Sequence, residues 1–231
     1  SLPTTPFQGA ALPLCQPSIL ILYIFNIQIW DNILMSEELN KMYQKAHLQK
    51  SYGSTSVKNL RLLLPNIHIL KPNSVIDFGC GKGNLLDEIS KNFKFKDTFK
   101  YDPAIDEFKV KPTKKYDLLI NIDVLEHVPE NELHDLLSEM SQVANDAIII
   151  IDTAPAELIL ADGTNAHCTL HSREGWDAKL SEYFGTLYRF PTLRSTRIGF
   201  KTWKIKNPLD IFIYAFLRTK YTFDHYIQKI F

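Results

Sequence analysis

One carboxylate and three glycines stand together in the run Asp77-Phe78-Gly79-Cys80-Gly81-Lys82-Gly83. Glycines at alternate positions let a strand turn sharply into a helix and let a ligand approach the backbone. An acid just ahead of them welcomes a ligand ammonium group rather than a pyrophosphate. The dinucleotide fingerprint G-x-G-x-x-G would need glycine where Asn84 stands, and a G-x-x-x-x-G-K-[ST] phosphate loop is absent. Asp102 follows about 20 residues on, where a carboxylate can accept hydrogen bonds from both ribose hydroxyls of an adenosine; it could also form an Asx turn ahead of Pro103. Asp123, Glu126 and His127 form a third group. Asp123 could N-cap a helix with Glu126 as its capping-box partner, or Glu126 or His127 could act as a general base. His167 and His171 lie in a polar stretch, 152–176, of the kind that serves a binding site more often than packing.

The elements that must position these groups alternate. Ser74 to Phe78 is a β-type run entering the glycines, and Asn84 to Asn92 has helical spacing of Leu85, Leu86 and Ile89. Further strands are expected at Phe99 to Asp102, Asp117 to Ile122 and Ala147 to Asp152, with a helix from Glu130 to Ala144. A helix at Ser172 to Phe184 and closing strands at Thr186 to Phe190 and Ile198 to Ile205 complete the pattern. Ahead of the core, residues 36–50 read as a helix and Ser56 to Leu64 as a second one stopped by Pro65. Alternating strands and helices with near-continuous apolar strands imply an α/β, Rossmann-like doubly wound sheet. About seven mostly parallel strands are expected, with an N-terminal helical lid and a C-terminal helical appendage.

The 231 residues are 45% hydrophobic and 23% charged, which excludes disorder and fibres. Lys+Arg and Asp+Glu number 26 each, so a general attraction to nucleic acid or anionic membranes is absent. Three scattered cysteines, Cys15, Cys80 and Cys168, form no C-x-x-C pair and suit a reducing compartment, the cytoplasm. Residues 1–34 carry no Lys or Arg, and Asn26, Gln28 and Asp31 interrupt their apolar run, which argues against a signal peptide or a membrane span. They read as an atypical extension: a leader, an upstream segment or a docking arm. Residues 35–206 read as the functional domain. Residues 207–231, past Asn207-Pro208, read as one or two short helices that pack on the domain or on a second subunit.

Three motifs together, Val75 to Gly83, Tyr101-Asp102 and Tyr116 to Val128, resemble those of class I S-adenosylmethionine-dependent methyltransferases over about residues 40 to 205. The resemblance implies that Asp77, Gly79, Cys80, Gly81 and Gly83 line the methionine end of the cofactor and that Asp102 holds the ribose. It implies that Ile105, or Pro103 and Ala104 beside it, covers the adenine, that Ile122 and Asp123 close the site near the sulfonium, and that Tyr52 belongs to a lid. The stretch between Asp102 and Asp117 is shorter than in many members, so the usual third strand is expected to be trimmed. His127, Glu126 and His167 are the candidate catalytic residues, and Asp162-Gly163-x-Asn165-Ala166-His167 looks like a bacterial and phage subset associated with sugar or cell-surface glycan chemistry.

The expected reaction is methyl transfer to an oxygen or nitrogen of a small molecule or a sugar or glycan precursor. A metal-assisted variant follows from Asp123, Glu126, His127 and a later His167 or His171, similar to the metal set of small-RNA 2′-O-methyltransferases. Two carboxylates and two imidazoles could hold a divalent ion. Asp rather than Glu in first position, and the neutral net charge, weigh against the RNA version. The same motifs also admit a protein methyltransferase, a nicotinamide oxidoreductase, or a catalytically silent cofactor-binding subunit that assembles through its apolar ends.

Overall fold

The computed structural model describes residues 55–227 without 161, together with 41, 42 and 44, which are helical. Tyr52, residues 1–34 and most of the expected lid helix lie outside the described residues. A 3₁₀ turn, Thr55–Asn59, enters α1 (Leu60–Leu70). Pro65 does not stop this helix as its sequence signal predicts; the helix runs through it. An interior proline costs about 3 kcal/mol. Burying Leu62, Leu63, Leu64 and Ile67, none more than 4% exposed, outweighs that at about 1.5–3 kcal/mol each.

The core then alternates as β1 (Ser74–Phe78), α2 (Asn84–Ser90), β2 (Asp97–Tyr101), β3 (Tyr116–Ile122), α3 (Leu133–Val143) and β4 (Ala144–Asp152). It continues as α4 (Arg173–Phe184), β5 (Tyr188–Phe190), β6 (Arg197–Lys201) and α5 (Pro208–Ile227). The strands form one sheet in the order β2-β1-β3-β4-β6-β5. The first four are parallel, and β6 runs antiparallel to both neighbours. Strand side chains alternate between two cores, as the period of two requires. Ile76, Leu119, Ile149 and Ile151 meet Leu137, Met140, Trp176 and Leu180 of α3 and α4, whereas Val75, Leu118, Ile120, Ile148 and Ile150 meet Leu63, Ile67 and Leu86 of α1 and α2.

Against the expected seven or so strands, the described residues form six. The chain from 102 to 115 contains only turns and irregular backbone. A parallel crossover takes about a dozen residues, so this stretch suffices for one crossover and leaves no length for an added strand beyond β2. The C-terminal appendage also differs from expectation. In place of one or two short helices stands a single helix of 20 residues, packed against α1 through Tyr221. No described helix is long and apolar enough to cross a membrane.

Candidate active site

Parallel β1, β3 and β4 end at the same edge of the sheet, the edge at which open α/β sheets receive ligands. Past β1, Gly79, Gly81 and Gly83 take φ of 81°, 52° and 72°, in the region that side chains rarely enter. Gly79 and Cys80 N–H donate to Tyr101 O at 2.7 and 3.1 Å, fixing the loop against the end of β2. Gly81 N–H donates to Asp102 Oδ2 at 2.8 Å, and Ala104 N–H to Asp102 Oδ1 at 2.9 Å. The Asx turn at Asp102 is therefore real, and the same carboxylate also holds the glycine loop. Pro103 and Ile105 follow half-buried in that turn, with Ile105 N–H on Asp102 O at 3.2 Å.

A Cβ at Gly79 would lie 2.5 Å from Val124 Cγ2, and Val124 is a stiff, branched side chain. Gly79→Ala is expected to cost about 1–3 kcal/mol of stability through clash and backbone strain. Its loop should also lose ligand binding, which a thermal melt and a titration would read together.

Asp77 is 2% exposed, and its Oδ2 has no hydrogen-bond partner among the described residues. Burial, and after it the neighbouring Asp102, push its carboxyl up to about 7. A buried carboxylate with an orphaned oxygen beside a glycine turn fits a ligand ammonium. Cys80 has its N–H engaged and its thiol pushed up by burial, so it lines the loop as an uncharged group.

Asp123 follows β3 at φ 55°. The residues after it make a 3₁₀ turn, Leu125–His127, with no side-chain cap, so the capping-box reading fails. Asp123 Oδ2 instead accepts from Arg197 at 2.7 Å, and Arg197 also reaches Asp152 Oδ2 at 3.5 Å and Asn59 Oδ1 at 3.4 Å. Burial lifts the Asp123 carboxyl to about 6 against the pull of Arg197, with Asp152 adding to the rise. Ile122, 6% exposed, precedes it. Sequence reasoning misses Arg197 and Asp152 as site residues. Arg197 lies 74 positions from its partner Asp123, and nothing local to an isolated arginine opening a strand marks such a clamp.

Glu126 is fully buried. Its Oε1 accepts Asp152 N–H at 2.9 Å, and its Oε2 has no partner among the described residues. Burial, and then Asp123, hold its carboxyl well above the usual range. His127 Nδ1 donates to Ala166 O at 2.8 Å and His167 Nδ1 to Ala154 O at 2.5 Å, since a carbonyl can only accept. In each neutral ring the lone pair is then on Nε2. The two rings meet edge-on, with centroids 4.7 Å apart. One potential ligand atom each from Glu126, His127 and His167 lies within 4.8 Å of the others.

The loop after β4 makes this possible. Thr169 donates through its N–H to Glu126 O at 3.1 Å and through its hydroxyl to Val128 O at 2.6 Å, stitching the loop onto the 3₁₀ turn. Asn165 braces the loop against Ala156 and His167. Met42 packs against the small cluster of Ala104, Leu160 and Ala166, which joins the Asp102 turn to the histidine loop. His171 is not part of the group: its Nε2 pairs with Glu130 at 2.8 Å and its ring abuts Trp176.

A family model described as a methyltransferase domain matches residues 46–196. No curated protein matches the chain. Among solved structures, an O-methyltransferase family protein from Burkholderia thailandensis is 12% identical with a TM-score of 0.51, over 80% of this chain and 70% of that one. DhpI, solved as its SAH complex, is 11% identical with a TM-score of 0.54, over 72% of this chain and 95% of that one. At such identities the likeness is one of fold. The family match spans the glycine loop, Asp102 and the Glu126-His127 turn, and the chain belongs to the methyltransferase-domain family as a class I S-adenosylmethionine-dependent methyltransferase.

Proposed function

We propose that the chain transfers the methyl group of S-adenosylmethionine to a hydroxyl oxygen, or a nitrogen, of a small molecule or sugar precursor in the cytoplasm, with residues 35–206 as the catalytic domain. The observation that carries this reading is the His127–His167 pair, each ring tethered through Nδ1, on the sheet edge that also carries the glycine loop. Asp77 would receive the cofactor's ammonium, Asp102 its ribose hydroxyls, and Pro103 and Ile105 its adenine, with Ile122 and Asp123 near the sulfonium and Tyr52 in the lid. The bound cofactor supplies an already activated methyl group. What remains for the protein is alignment, exclusion of water, and removal of the acceptor's proton. The Nε2 lone pair of His127 or His167 takes that proton. Burial, and then Asp123, raise the Glu126 carboxyl, and in its protonated form this group can donate a hydrogen bond that orients the acceptor oxygen.

A second reading is favoured by the convergence of Glu126, His127 and His167. Two imidazoles and a carboxylate suit a divalent transition ion, and both rings are tethered through Nδ1 to backbone carbonyls as metal-ligating histidines commonly are. Such an ion would polarise an acceptor hydroxyl. Asp123 is held by Arg197, which leaves three ligands where the RNA-type set has four.

The test is release of S-adenosylhomocysteine from S-adenosylmethionine across hydroxylated small molecules, amines, sugars and a short RNA, before and after chelation and with Mg²⁺, Mn²⁺ or Zn²⁺ restored. Turnover of a sugar or small molecule that survives chelation supports the first reading. Dependence on added metal supports the second. A salt-sensitive reaction on RNA alone would replace the acceptor class.

A further inference from the structure

The outward face of α5 carries residues whose spacing the methyltransferase fold does not use. Leu209, Phe212, Phe216, Thr219, Phe223 and Tyr226 recur at intervals of three and four, an unbroken a/d heptad seam along the helix. All six are exposed, Phe212 by 70%, Phe223 by 64% and Phe216 by 60%. The opposite face of the helix is already occupied: Tyr221 packs into the core beneath it, and Arg218 donates to Pro191 O at 2.9 Å. The seam is thus additional to the contacts that hold α5 to its own domain, except at its end, where the Arg61 guanidinium of α1 lies 5.4 Å over the Tyr226 ring.

We propose that this seam is a homodimer interface, formed by the α5 helices of two copies crossing antiparallel about a two-fold axis. The seam is self-complementary in that arrangement. Centring the axis between Phe216 and Thr219 sets each Phe216 against the other copy's Thr219, Phe212 against Phe223, and Leu209 against Tyr226, every pair joining an a to a d position. A large residue meets a small one at the centre, and aromatic residues meet on either side. Thr219 spends its hydroxyl on Ala215 O at 3.0 Å within its own helix, so its burial leaves that hydroxyl satisfied; the seam's other hydroxyl, that of Tyr226, belongs to its outermost pair. Lys220, beside the seam, is neutralised by Asp224 at 2.7 Å on the same helix.

Area and charge agree. Aromatic side chains bury about 150–250 Å² each, so the seam offers on the order of 700 Å² per copy, near the roughly 800 Å² per partner of a standard stable interface. The chain has a formal net charge of zero, so two copies meet without net repulsion. Ile211 and Ile227 are also exposed on this helix, but its face opposite the seam packs on the domain and so lacks the free basic surface of an interfacial membrane helix.

Sedimentation of the full chain over a concentration series tests the assignment. The wild type is expected to sediment as a dimer and Phe216→Glu as a monomer whose S-adenosylhomocysteine affinity is unchanged, since Phe216 lies outside the cofactor and acceptor site. Under oxidation, the Phe216→Cys/Thr219→Cys double variant should gain an intermolecular disulfide absent from the wild type and from either single variant. A wild type that is monomeric at all concentrations, including one that sediments with phosphatidylglycerol vesicles, would overturn the proposal. So would a Phe216→Glu variant that still dimerises.

Discussion

His127→Ala is expected to slow methyl transfer to a hydroxyl acceptor by about 10²- to 10⁴-fold, the usual contribution of a positioned general base, while S-adenosylhomocysteine affinity stays nearly unchanged. The separation follows from the architecture. His127 is fixed by Ala166 O and by its ring contact with His167, whereas the cofactor loop is fixed by Tyr101 O and Asp102. Because the two rings touch, His167 can partly substitute, and the His127→Ala/His167→Ala double variant should fall below either single one. Undiminished turnover in the double variant would show that proximity alone drives the reaction. A metal-dependent loss that excess ion restores would move both residues from base to ligand.

Asp77→Asn should lose S-adenosylhomocysteine affinity by about 10- to 100-fold, the scale of a hydrogen bond to a charged group at about 1.5–3 kcal/mol. The same variant should make the unliganded fold more stable above pH 7. The sign follows from the raised carboxyl. Asp77 moves from 3.8 to about 7 on folding, so the folded state favours the protonated form. The destabilisation is absent below pH 3.8, grows as pH rises toward 7, and is full above it. At about 1.4 kcal/mol per unit it amounts to a few kcal/mol. Ligand binding has the opposite slope. An ammonium favours the carboxylate, so affinity in the wild type should rise with pH by up to about ten-fold per unit below about 7 and then flatten. In Asp77→Asn this rise should disappear. A variant that melts lower and binds unchanged would remove Asp77 from the cofactor site and return it to the core.

The parts of the molecule that are legible in the sequence are those whose cause is local. Alternating glycines after an apolar run announce a strand, a turn and a helix, and the observed positive φ at Gly79, Gly81 and Gly83 is what that spacing demands. The parallel sheet and its two-faced core follow from continuous apolar runs such as Ala147 to Ile151. What stays hidden depends on distance along the chain. Pro65 reads locally as a stop, and only the burial of the leucines around it reverses that. Asp123-Val124-Leu125-Glu126 reads as a capping box, but Arg197, 74 positions away, takes the carboxylate. The convergence of His127 with His167, and the departure of His171 to Glu130, likewise require the loop after β4 to be placed.

The central claim is that the glycine loop, Asp77 and Asp102 form a nucleoside site selective for S-adenosylmethionine and its product. Calorimetric titration of the full chain with S-adenosylhomocysteine, and in parallel with NAD, tests it most directly, using Asp102→Ala as the comparison. Asp102 holds both Gly81 and Ala104, so its loss should remove both the ribose acceptor and the loop geometry. Saturable binding of S-adenosylhomocysteine that vanishes in Asp102→Ala, with no heat from NAD, is the expected result. Binding of NAD in its place, or S-adenosylhomocysteine binding that Asp102→Ala leaves intact, would contradict the account.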